Sequence, residues 1–146
     1  MGIPKSVARL VSFAALAVAC GPSGPTNELR YAAAMFTCGP VDQPATLIVL
    51  AREPIRSAQV PDDAVRVTIL EPVDTLAGRT WHIGDQAGAF YLVGGDGQVS
   101  ATTGSVTVTH VDATKRVDGG VNLLFSSWML VTEFSAPWIE TGVRCG

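Results

Sequence analysis

The feature that most constrains this chain is its rhythm: β-branched and apolar residues come in runs of strand length, and Gly, Pro or Asp interrupts them every ten residues or so. Eighteen Val and thirteen Thr favour a pleated, extended backbone, and the interruptions leave little room for long helices. Residues 45–51 form a nearly continuous apolar run after Pro44, the pattern of a strand covered on both faces. Val65, Val67 and Ile69 alternate with Arg66 and Thr68 after the turn signal Pro61-Asp62-Asp63, which predicts a strand with one wet face. Residues 79–83 and 89–93 read as two strands that the Gly-containing loop 84–88 should make neighbours.

Further along, Val106 and Val108 share a predicted face with His110, and Thr107 and Thr109 point the other way. Asp118-Gly119-Gly120 reads as a turn. A single strand over residues 121–134 would be ~46 Å long, beyond the usual length. A bend near Ser126-Ser127-Trp128 is therefore expected, giving strands 121–126 and 129–134 before Ala136-Pro137. Residues 28–38 satisfy two readings, helix through Ala32-Ala33-Ala34 and strand through Phe36 and Cys38.

Short strands with short connections suit antiparallel neighbours, and the fold expected is a small all-β domain, an antiparallel β-sandwich or open β-barrel. A parallel sheet would need crossover helices that the pattern lacks. A length of 146 residues with 47% apolar content fits one domain that buries about two-thirds of its unfolded surface. The net charge of -3 supplies no broad positive field to gather phosphates, so nucleic acid is not an expected partner.

The first residues read as an address. Lys5 and Arg9 precede residues 10–19, which carry no charge, the layout of a secretory signal peptide over residues 1–19. As a helix that stretch would rise only ~15 Å against ~30 Å of hydrocarbon, too short for a permanent span. Ala17 and Ala19 form a plain A-x-A cleavage site, which would leave a soluble secreted or periplasmic protein. The same stretch, Leu16-Ala17-Val18-Ala19-Cys20-Gly21, resembles a bacterial lipobox, with Ala17 where Leu is preferred. The resemblance covers the first 20 residues or so and implies that Cys20 is lipidated on sulfur and becomes the new N-terminus. Gly21 stands where those lipoproteins often carry an Asp that retains them in the inner membrane, which implies the outer membrane in an organism that has two.

Cysteine parity favours the lipoprotein reading. Lipidation of Cys20 leaves Cys38 and Cys145 to pair in an oxidising compartment, where plain secretion would leave an odd thiol. Such a bridge closes a loop of over a hundred residues and pins the last residues to the first strand; chain entropy assigns it ~4.7 kcal/mol. Residues 20–27 are short and rich in Gly and Pro, as a tether between lipid and a domain over residues 28–146 should be. A lipid anchor of two or three chains holds where a single chain would not. Removing residues 1–19 leaves eight basic against 13 acidic residues, a net charge of -5, so the lipid itself would supply the membrane contact.

No residue set names a reaction. His82 and His110 are the only histidines, too few for a metal site once Cys38 and Cys145 are bridged, and no metal or other cofactor is expected. The serines occupy no G-x-S-x-G turn. Gly94-Gly95-Asp96-Gly97 lacks the Lys-Ser/Thr of a phosphate-binding loop and the repeated acids of a calcium loop, and reads as a hairpin turn. Glu53, Glu71, Glu133 and Glu140 are too scattered in sequence to single out a catalytic pair. Trp81, Trp128 and Trp138 are core candidates first and ligand-contact aromatics second, with Trp128 the least at home in a core because it falls at a bend. The expectation is a non-enzymatic, lipid-anchored module that binds a protein or glycan at the cell envelope. The alternatives are a small secreted hydrolase with His82 or His110 as base, and a carrier of a small apolar ligand in a barrel mouth.

Overall fold

A computed structural model describes residues 29–93 and 97–146. Ten strands form two sheets: β1 (Tyr31–Cys38), β2 (Pro44–Ala51), β3 (Val65–Ile69), β4 (Arg79–His82), β5 (Ala87–Val93), β6 (Gly97–Ser100), β7 (Thr103–Val111), β8 (Val117–Leu124), β9 (Met129–Ala136) and β10 (Trp138–Ile139). A six-stranded sheet runs β10-β1-β2-β3-β5-β6, and a four-stranded sheet runs β4-β7-β8-β9. The two pack as a β-sandwich rather than a closed barrel. All pairings are antiparallel except the two-residue β1–β10 contact, short enough to need no crossover helix.

The main core lies between the sheets. Ile48, Leu50, Val65, Val67 and Ile69 meet Val106, Val108, Val121, Leu123 and Leu130, and Phe125 closes one end with 1% exposure. Alternation in β3 and β7 puts one residue in two into this layer, as period two requires. β2 is buried along almost its whole length because it has apolar cover on both sides. Its outward residues Leu47 and Val49 join Ala33, Met35, Ala51 and Ala64 in a second cluster, roofed by Ile55 and Val60 of the strap 52–63 and by Ile139.

Residues 31–38 settle as strand: Ala32, Ala33 and Ala34 face Leu50, Val49 and Ile48 in register, and pairing overrides alanine's preference for helix. Strands 79–82 and 87–93 are not neighbours as expected, for they belong to opposite sheets. Residues 83–86 turn the corner between the layers, with Gly84 at a φ of 101°, so that Trp81 and Ala89 both reach the core. The crossing from β3 to β4 holds a single 3-10 turn, Val73–Thr75, and the chain changes sheet twice more, from β6 to β7 and from β9 to β10.

Asp118-Gly119-Gly120 is not a turn either. It lies inside β8, and the reversal comes earlier, at 112–116. There Lys115 N–H donates to Asp112 O, Lys115 takes a φ of 60°, and Asp112 Oδ1 accepts from the backbone N–H groups of Thr114 and Arg116. That is a three-residue hairpin loop built on a side-chain-capped turn. His110 does not share the face of Val108, because the register shifts between the two and turns its side chain to solvent. The Gly94-Gly95-Asp96 stretch lies outside the described residues, as do residues 1–19, expected to be a signal peptide, and Cys20 with the expected tether 20–27.

Candidate binding face

The outer surfaces of the two sheets differ. Outward positions of the four-stranded sheet form cross-strand rows: His82, Ser105, Asn122 and Val131; then Thr80, Thr107, Gly120 and Glu133; then His110, Asp118 and Ser135. No strap among the described residues crosses them. Leu124 pairs with Met129 at one end of this face, where Leu124, Met129 and Val131 are 42%, 53% and 62% exposed. Those three neighbours form an apolar patch of the kind that marks an interaction surface.

Two open depressions of about 650 and 460 Å³ meet over Gly120 and share Thr107, Gly120 and Glu133 as lining. The missing side chain at Gly120 makes the furrow. Thr107 forms one wall and is steadied by a 2.8 Å hydroxyl contact with Thr80. Beyond the other wall, Arg116 Nη1 donates to Ser135 Oγ, and Ser135 Oγ donates to Asp118 Oδ1 at 2.6 Å. Among the described residues, the Glu133 carboxylate has no hydrogen bond or ion pair and stands exposed beside Gly120.

The three tryptophans have found partners within the fold. Trp81 is buried, donates its indole N–H to Glu71 at 3.0 Å and carries the Arg79 guanidinium over its ring. Trp128, half-buried, stacks on Phe125 at 3.9 Å and meets Tyr91 edge-on. Trp138, also half-buried, donates to Glu140 and lies under the Lys115 ammonium at 5.1 Å. The structure does not bring the three together.

The carboxylates are likewise dispersed. Glu71 accepts from Arg79, Trp81 and Thr75, and the Arg79 hydrogen bond first of all holds its carboxyl below the ordinary glutamate range. Glu140 serves Trp138, Glu53 lies on the strap, and Glu133 flanks the furrow. His82 and His110 are exposed on different strands, and neither imidazole hydrogen-bonds to a described residue. Among the described residues, no three His, Cys, Asp or Glu side chains gather as a metal site, and no helix is long and apolar enough to cross a membrane.

Cys38 and Cys145 are joined by a disulfide with Cα atoms 5.6 Å apart, tying the end of the chain to the end of β1. Sequence reasoning missed the furrow because Gly-Gly after Asp is a turn signal. The contrary signal is the period-two series Val117, Gly119, Val121, Leu123, which carries a strand straight through the pair. The chain matches no family model, no curated protein and no solved structure.

Proposed function

We propose that this chain is a lipid-anchored, exported β-sandwich that binds a partner at the bacterial cell envelope through the bare face of its four-stranded sheet, without catalysing a reaction. One observation carries the binding role: a furrow flanked by a carboxylate with no partner among the described residues and by an exposed apolar triplet lies on the sheet face that no part of the described chain covers. The anchor is supported by cysteine use. With Cys38 and Cys145 bridged, the remaining cysteine is Cys20, just after an uncharged stretch of signal-peptide length. In an organism with two membranes, Gly21 directs the reading to the outer one.

Cell fractionation tests the anchor. Wild-type protein should pellet with membranes and take up an alkyne-labelled fatty acid, and Cys20→Ala should abolish the label and release the protein. Unchanged membrane retention of Cys20→Ala would defeat the tether.

A further inference from the structure

The two central glycines of β8 are not equivalent. A Cβ at Gly119 would collide with the Thr107 carbonyl and crowd the Phe134 ring, so the fold itself demands glycine there. At Gly120 the nearest atom to such a Cβ is the Thr132 carbonyl at 3.4 Å, an ordinary contact, and the backbone is not in the left-handed region. A side chain would fit at Gly120 and would favour the strand, since glycine inside a strand weakens it. Folding therefore gives no reason for this glycine, and close approach of a ligand to the sheet does.

We infer that the furrow over Gly120 receives an extended protein segment that sets a basic side chain beside aliphatic ones, and that Gly120 is kept bare for that segment; the inference rests on the binding role proposed above and names its partner class. Charge selects the basic group. Among the described residues Glu133 has no partner, and the domain beyond residue 19 carries a net charge of -5. Spacing selects the rest. Glu133, Val131 and Met129 project from the same face of β9 at alternate positions, ~6.8 Å apart, which is also the interval between alternate side chains of an extended peptide. A lysine or arginine over Glu133 then puts aliphatic residues over Val131 and Met129, and Leu124 widens that end. A glycan is the weaker occupant, because Phe134, the aromatic residue in the lining, belongs to the inter-sheet core with 8% exposure and all three indoles are engaged elsewhere in the fold.

The test uses the purified full chain and a fluorescein-labelled peptide of pattern Lys-Ser-Val-Ser-Val, its counterpart with Glu in place of Lys, and a neutral linear glucan as competitor. Saturable binding of the Lys peptide is expected, weakened at least about tenfold by the Lys-to-Glu exchange, by Gly120→Val and by Glu133→Gln. Gly120→Val should melt at the wild-type temperature or about 2–4 °C above it, so that its loss of binding cannot be ascribed to unfolding. Equal binding of the two peptides, wild-type binding by Gly120→Val, displacement of the peptide by the glucan, or no saturable binding of the Lys peptide would each overturn the inference. Glucan binding that Gly120→Val abolishes would leave the binding role standing with a different partner, whereas membrane retention of Cys20→Ala bears on the anchor alone.

Discussion

The two sheets of this sandwich present opposite solutions to the same problem. Each has an inner face in the shared core, but the six-stranded sheet buries Leu47 and Val49 on its outer side beneath the strap 52–63, whereas the four-stranded sheet leaves Leu124, Met129 and Val131 in water. A covered outer face contributes to stability at roughly 25 cal/mol for each Å² of apolar surface removed from water. An apolar outer face left bare contributes nothing to the isolated domain, so its composition has to be explained by what lies against it. The outer positions already differ in sequence: Ala33, Met35, Leu47 and Val49 lie under the twelve-residue strap 52–63, whereas the bare face is mostly Ser, Thr, Asn, Gly and acidic residues with its three apolar side chains gathered at one end.

The sharpest way to break this comparison is to put one charge into both faces. Val49→Asp forces an unpaired carboxylate into a site with 0% exposure, at a cost of several kcal/mol, against a total stability of about 5–15 kcal/mol. No cooperative thermal transition is expected. The same exchange at Val131, 62% exposed, should leave stability within about 0.5 kcal/mol of wild type. Circular dichroism melts of the two variants decide it: similar losses would mean that the two outer faces are equally buried.

The covered sheet also holds the disulfide, which fastens its edge. β10 pairs with β1 over only two residues, and Cys38–Cys145 locks the terminal segment there. The double variant Cys38→Ala/Cys145→Ala should lose about 2–5 kcal/mol. Hydrogen exchange should rise first along β10 and the end of β1, with β7, β8 and β9 protected longer. Uniform acceleration over both sheets would show that the bridge acts on the unfolded chain alone.

Much of this architecture was legible because it depends on local pattern. Period two located β3 and β7, the nearly continuous apolar run at 45–51 announced a strand with two covers, and cysteine parity paired Cys38 with Cys145. What stayed hidden was set by distant contacts. Nothing near residues 79–93 says that Gly84 turns the chain into the other sheet, and nothing near His110 announces the bulge that exposes it. The furrow was concealed for a related reason. Gly119 and Gly120 look identical in sequence, and only the Thr107 carbonyl on one side and open solvent on the other distinguish them.

The smallest effect concerns the joint between the two sheets, where residues 71–79 carry the chain from β3 to β4. Glu71 gathers there the Arg79 guanidinium, the Trp81 indole and the Thr75 hydroxyl, and its backbone carbonyl accepts from buried Thr46 of β2. The Arg79 hydrogen bond is the largest influence and lowers the carboxyl below its ordinary range; partial burial acts in the opposite sense, and the other donors add to the lowering. A carboxyl that is more acidic folded than unfolded stabilises the fold in full above the unfolded value of ~4.3 and loses that contribution as pH falls through its folded value. Because the Arg79 side chain is 48% exposed, water screens its charge, and the whole contribution is about 1 kcal/mol. Glu71→Gln should therefore melt about 3–5 °C below wild type at neutral pH, and the gap should narrow as the solution is acidified below the ordinary glutamate range. A gap that is constant with pH would assign the loss to packing at the joint rather than to the carboxylate.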